Sequence, residues 1–184
     1  MLLKLRIKMT VFERNLIKNP CGEERYRYWS VKSGGDGWNI DNNHIQIPEA
    51  YSQKCFVTSY RWCSKEQLIN LLAEGATEDE LDKQPEIYVC DWYGTRSDCG
   101  GVYEIHVTLL DADKSTVKAE FKCEAPPIPQ WNDASYHKVS HNFRNYGKGV
   151  RYVNFCHRGK DTKFWAGHYG TRITNSTVIV KASS

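Results

Sequence analysis

The feature that most constrains this chain is a two-residue alternation of apolar and polar side chains that recurs in run after run. From Val102 to Leu110, Tyr103, Ile105, Val107 and Leu109 share one side, and Glu104, His106 and Thr108 share the other. From Val117 to Cys123, Val117, Ala119, Phe121 and Cys123 alternate with Lys118, Glu120 and Lys122. Phe56, Thr58, Tyr60 and Trp62 line one side of a third run, and the stretches 87–90, 136–143, 150–155 and 176–180 read as strands too. Successive side chains of a strand point to opposite faces, so this period describes strands with one face buried and one face wet. Many short runs of this kind, separated by turn residues, predict an all-β antiparallel sandwich.

Two stretches depart from the pattern. Ser64-Lys65-Glu66-Gln67 matches a capping box, in which the Ser64 hydroxyl accepts from the Gln67 amide and Gln67 reaches back. Leu68, Leu71 and Leu72 follow as a narrow apolar face, and Gly75 fits a helix stop, so a helix is predicted over 65–74. Thr77-Glu78-Asp79-Glu80 repeats the box before Leu81 and predicts a helical turn or two over 78–83. Pro126-Pro127-Ile128-Pro129 is read as an extended loop inside one domain, because strand patterns continue on both sides. A chain of 184 residues fits a single domain that buries roughly 70% of its unfolded surface.

Charge and cysteine usage narrow the function. The net charge of +3 comes from 25 basic and 22 acidic residues scattered along the chain. That balance forms no basic stripe and predicts no nucleic-acid partner. Met1 to Met9 alternates apolar and basic residues and lacks the continuous apolar stretch of a signal peptide. No segment approaches the ~18 apolar residues that would cross a bilayer, so no membrane insertion is expected. The seven cysteines are odd in number and none forms a C-x-x-C pair, which leaves no zinc-ribbon or thioredoxin pattern. Most lie in strand-like runs, where reduced Cys packs as a small hydrophobe. Cytosolic or nuclear residence fits this usage, with one or two disulfides as the alternative.

No catalytic or metal constellation emerges. Cys156 and His157 are adjacent, but on a strand they point to opposite faces and form no dyad. No G-x-S-x-G elbow occurs. His137 and His141 would share a face of a strand yet lie more than ~12 Å apart. Asp79-Glu80 and Glu23-Glu24 read as helix-start or solvated charges, and Gly34-Gly35-Asp36-Gly37 reads as a turn rather than a phosphate loop. A non-enzyme without cofactor or metal is the expectation.

The run Lys163-Phe164-Trp165-Ala166-Gly167-His168-Tyr169-Gly170, with Tyr60-Arg61-Trp62 upstream, is different in kind. Gly167 and Gly170 break the strand period and place Phe164, Trp165 and Tyr169 on or beside a turn. Rings held at the rim of a sheet can stack on the apolar face of a sugar or plug the end of a core. Neighbours on a strand cannot both be buried on one face, so one ring of the Phe164-Trp165 pair must face out, and an outward ring usually has a partner. Gly37-Trp38 and Asp91-Trp92-Tyr93 are read as closing the core.

Several segments together resemble a known family. These are the stretch from Asn15 to Glu24, Gly34 to Trp38, Cys55 to Cys63, Asp91-Trp92-Tyr93, Val139-Ser140-His141, Gly149 to Val153, Phe164 to Gly170 and Thr174-Asn175-Ser176. In order, they are similar to the F-box-associated (FBA) domain of the sugar-recognising F-box proteins. The resemblance implies a ten-stranded antiparallel β-sandwich of jelly-roll, galactose-binding-like character with one or two short helices. It implies a cytoplasmic carbohydrate-binding module for the chitobiose core of N-linked high-mannose glycans. Its partners would be N-glycosylated proteins, recruited for ubiquitination in endoplasmic-reticulum-associated degradation. A protein-interaction domain that has lost the glycan is the alternative.

Carried onto this sequence, the pocket aromatics fall on Tyr60, Phe164 and Trp165. Ala166 stands where a glycan-binding relative has Lys, which removes a donor to the sugar. A second loop in the family supplies an amide, for which Asn43, beside Asn42, is the candidate. The resemblance places an extension at 1–14 and the FBA domain at 15–184. The 14 residues before Asn15 are too few for an F-box, so this chain is not expected to dock the ligase adaptor Skp1 by itself. A fragment, an isoform and a free-standing lectin-like protein all fit.

Overall fold

The computed structural model describes residues 9–183, and the alternation of Met1 to Lys8 lies outside them. Among the described residues the chain forms ten strands and one short helix. They run β1 (Ser30–Lys32), β2 (Asn39–Asn42), β3 (Lys54–Val57), β4 (Cys63–Asn70), α1 (Glu78–Asp82), β5 (Ile87–Gly94), β6 (Gly101–Leu110), β7 (Val117–Glu124), β8 (His137–Phe143), β9 (Tyr152–Asp161) and β10 (Arg172–Val180). Two five-stranded sheets face each other, ordered β1-β4-β9-β6-β7 and β2-β3-β10-β5-β8. Every ladder is antiparallel, which is the ten-stranded sandwich expected.

The core follows the alternation. Tyr103, Ile105, Val107 and Leu109 of β6 and Val153 and Phe155 of β9 are buried against Phe56, Val89, Ile173 and Val178 of the other sheet. Where edge strands β7 and β8 approach, Phe121 and His141 stack with centroids 4.6 Å apart and close that side. The N-terminal segment packs onto β10. Val11 is fully buried, Phe12 bridges Val180, and the Leu16 N–H donates to the Val178 carbonyl at 2.8 Å. The packed unit therefore reaches back past Asn15 into the stretch expected as an extension.

Two readings are corrected. The helix expected over 65–74 is strand β4 followed by a turn. Cys63, Lys65, Gln67 and Ile69 point inward and are buried, while Leu68 and Leu72 are exposed. Gln67 does not cap Ser64. Its amide donates to the Lys18 carbonyl at 2.6 Å and its carbonyl accepts from the Lys18 N–H at 3.1 Å. The run Phe56 to Trp62 is likewise not one strand. β3 ends at Val57, and the chain crosses the end of the sandwich before β4 starts. The second capping box does form: the Thr77 hydroxyl accepts from the Glu80 N–H at 3.1 Å, and the Glu80 carboxylate accepts from the Thr77 N–H at 2.8 Å.

A polar cluster sits inside the sandwich. The Asp91 carboxylate accepts from the Tyr103 hydroxyl (2.5 Å) and the Ser176 hydroxyl (2.8 Å) and pairs with His157 Nδ1 at 2.5 Å. Lys65 lies beside it among Trp29, Trp38 and Phe56. His157 is buried while its neighbour Cys156 lies on the outer face, so the two point apart as expected. Cys21, Cys55, Cys63, Cys90 and Cys99 are buried free thiols, and Cys123 and Cys156 are half-buried ones. Asn175, Ser176 and Thr177, which spell the N-x-S/T pattern of a glycosylation acceptor, are buried at a bulge of β10 and present no acceptor at the surface.

Candidate functional site: an aromatic rim at one end of the sandwich

Three connections meet at one end of the sandwich: the β1–β2 turn (33–38), the β3–β4 crossing (58–62) and the β9–β10 loop (162–171). Backbone groups tie them together. The Thr58 N–H donates to the Thr171 carbonyl at 3.0 Å, the Gly170 N–H to the Thr58 carbonyl at 3.1 Å, and the Asp161 N–H to the Ser59 carbonyl at 2.9 Å. The Ser59 hydroxyl donates to the Gly167 carbonyl at 2.6 Å and accepts from the Asp36 N–H at 3.0 Å. The Asp36 carboxylate accepts from the Gly167 N–H at 2.6 Å. A Cβ on Gly170 would run into the Thr58 hydroxyl and sit 2.8 Å from the Ser59 carbonyl, so only glycine lets the loop lie this close.

The same network presents the rings. Asp161 Oδ1 accepts from the Lys163 and Phe164 N–H groups at 2.8 and 2.6 Å. This fixes a tight turn in which Phe164 takes φ +62°, a left-handed conformation that a bulky residue rarely adopts. Phe164 is 64% exposed and Trp165 39% exposed. The expectation that one of the two must turn inward holds for a strand, but the backbone here is a loop, and both face out. Tyr60 lies 5.6 Å from Phe164, centroid to centroid, and the Arg61 guanidinium is 5.9 Å from the Phe164 ring. Trp165 meets Tyr169 edge-on at 5.9 Å.

Of the residues singled out in the sequence, the structure thus brings Tyr60, Phe164, Trp165 and Ala166 together. Ala166 is exposed and carries no donor, while exposed Arg61 and Lys163 supply cationic donors at the same rim. Asn43 is not part of this group. On the β2–β3 ribbon Asn39 pairs with Val57, beside the crossing, but Asn42 pairs with Lys54. Asn43 therefore follows the ribbon's far end, and its amide is occupied by Gln53 (3.1 Å) and Tyr136 (2.9 Å). The loop that does abut the aromatics is Gly34-Gly35-Asp36-Gly37, legible in the sequence only as a turn. Tyr169 extends the rim to Arg96, whose guanidinium lies 5.2 Å from its ring. Arg96 forks onto Asp98 at 3.0 and 2.8 Å, which holds the Asp98 carboxyl below its usual range and keeps Arg96 charged. Among the described residues no group of His, Cys, Asp or Glu is arranged to hold a metal, and no helix is long and apolar enough to cross a membrane.

The fold is that of the β-sandwich carbohydrate-binding modules. The carbohydrate-binding module TmCBM61, solved with β-1,4-galactotriose, superposes with a TM-score of 0.56 over 92% of this chain and 100% of that one, at 12% identity. The C-terminal family 22 module of Clostridium thermocellum Xyn10B gives 0.50 over 95% and 98%, at 5% identity. At these identities the likeness is one of fold. Sequence goes further: the model of the F-box associated region matches residues 7–180, and the chain belongs to that FBA family. It is 48% identical to mouse (Mus musculus) F-box only protein 27 over 169 residues, covering 91% of this chain and 60% of the relative. It is 49% identical to human (Homo sapiens) F-box only protein 17 over 172 residues, covering 92% and 61%. The chain thus spans about 60% of the length of the relatives it matches.

Proposed function

We propose that this chain is a non-enzymatic binding domain for N-linked high-mannose glycans, taken by their chitobiose core, and that it serves in the cytoplasm to select glycoproteins for ubiquitination. The observation that carries the reading is the rim itself. Two adjacent rings, Phe164 and Trp165, are held outward by a hydrogen-bonded turn instead of filling the core. The FBA membership and the sandwich shared with carbohydrate-binding modules support it. Trp165 offers a plane for the apolar face of a GlcNAc ring, Tyr60 and Phe164 wall it, and Arg61 and Lys163 bring donors for hydroxyls. A contact of this kind adds ~0.5–1.5 kcal/mol beyond area burial, by analogy with aromatic pairs. Two or three on an open ledge give micromolar affinity or weaker. The fixed loop limits the ordering cost of binding.

The missing donor at Ala166 favours a second reading, a protein-interaction domain on the same fold. A glycan array probed with the purified chain separates the two. The first reading expects signal confined to glycans that carry an intact chitobiose core. Binding of a glycoprotein that survives enzymatic removal of its glycans would favour the second.

A further inference from the structure

A second cleft opens at the same end of the sandwich. It encloses about 460 Å³ between the Pro126–Pro129 segment, Tyr93, Asp133 and His137, a size within the range of about 300–1,000 Å³ typical of ligand sites. Its aromatic wall is fixed, because Tyr93 stacks flat on buried Tyr103 at 4.2 Å and lies 5.4 Å from His137. Within the loop that lines it stands Trp131, 77% exposed and at φ +65°. A tryptophan in the left-handed region is a backbone outlier, and outliers of this sort gather at binding sites.

The loop is rigid around that indole. The Asn132 amide lies 2.9–3.0 Å from Thr95 Oγ1 and the carbonyls of Arg96, Cys99 and Pro129. The Asn132 N–H donates to the Ser97 carbonyl at 3.0 Å, and its side-chain oxygen accepts from the Ala134 N–H at 2.7 Å. Asp133 accepts from the Ser135 N–H at 2.9 Å, which with the Ser135 hydroxyl holds its carboxyl below the usual range and keeps it ionised. Arg96 links the cleft to the rim, since its carbonyl faces Asn132 and its guanidinium lies over Tyr169, and the Thr162 N–H donates to the Gly100 carbonyl at 3.2 Å.

Fixed tyrosine and proline faces suit the C–H face of a pyranose, and an ionised carboxylate suits its hydroxyl pairs. We infer that the cleft between the proline segment, Tyr93 and Asp133 is a second saccharide subsite, taking the outer mannose residues of the glycan whose core the aromatic rim holds. This rests on the function proposed above. The test titrates wild type, Asp133→Asn and His137→Ala with two probes, the free chitobiose core and a full high-mannose glycan on that core. Asp133→Asn is expected to bind the core as wild type does and the full glycan about two- to tenfold more weakly, the loss of one charged hydrogen-bond acceptor. His137→Ala shifts in the same direction. Unfolding curves stay superimposed, because both side chains are exposed. The inference is overturned if wild type binds both probes and both variants bind the full glycan equally well. It is also overturned if either variant weakens binding of a deglycosylated glycoprotein, which would make the occupant a polypeptide. Wild type binding neither probe overturns the inference and the underlying function together.

Discussion

Replacing Lys65 with methionine is expected to stabilise the domain. Lys65 is 1% exposed, and its Nζ has no hydrogen-bond partner. The ammonium lies 3.2 Å from the Trp29 ring centroid, 3.9 Å from Phe56 and 5.6 Å from Trp38. Desolvating an ion costs several kcal/mol even after relaxation. Desolvated cation–π contacts return roughly 2 kcal/mol or more, and the Asp91 charge returns part of the rest. Asp91, however, is already served by Tyr103, His157 and Ser176. Burial therefore dominates and holds the Lys65 amine well below the usual lysine range. Methionine has similar length, leaves no donor unmade and suits aromatic faces. By the pattern of buried charges replaced with apolar side chains, the gain is about 1–3 kcal/mol at neutral pH. For a chain of this length, that is roughly 2–4 °C in Tm per kcal/mol.

The pH dependence carries its own sign. The folded amine releases its proton at lower pH than the unfolded lysine, whose pKa is about 10.4. The unfolded chain thus binds more protons between the two values, and wild-type stability rises with pH across that window. Lys65→Met removes this slope, so its advantage shrinks as pH approaches about 10. Urea unfolding of both proteins at neutral and alkaline pH reads the effect. A loss of more than ~1 kcal/mol in the variant at neutral pH would refute the reasoning, because it would mean that the ring and Asp91 contacts outweigh desolvation.

Two further outcomes follow from the geometry. Gly170→Ala forces a methyl group into Thr58 and the Ser59 carbonyl, and is expected to cost about 1–3 kcal/mol; an unchanged unfolding midpoint would show that the rim is looser than described. Thiol titration of the native protein should be confined to half-buried Cys123 and Cys156, with the five buried thiols appearing only on unfolding, and a total well under seven would indicate disulfides.

The sandwich was legible because most strands bury one clean apolar face: β6 could be drawn residue by residue from Tyr103, Ile105, Val107 and Leu109. β4 was not, because its inward face is Cys63, Lys65, Gln67 and Ile69, half of it polar. Lys65 is accommodated by a cage of rings from other segments and Gln67 by the Lys18 backbone, and neither partner shows in a local window. The exposed Leu68 completed a false helical face. At the candidate site, Tyr60, Phe164 and Trp165 could be named from their resemblance to a family. Asn43 was named and Asp36 was read only as part of a turn, because proximity to the β9–β10 loop is a tertiary property. The second cleft left only a faint local signal, the proline-rich stretch 126–129 that lines it, because its shape depends on how Asn132 rivets the loop.

The most direct test of the account is calorimetric titration of a chitobiose-core glycan into wild type, Trp165→Ala and Ala166→Lys. Trp165→Ala removes a stacking plane at an exposed rim and should abolish detectable binding while leaving the unfolding curve in place. Ala166→Lys restores a charged donor worth about 1.5–3 kcal/mol and should tighten binding by about tenfold or more. Wild type binding the core with both shifts in these directions is the predicted result. Equal binding by wild type and Trp165→Ala would contradict the site, and no binding by wild type to any chitobiose-core glycan would contradict the function.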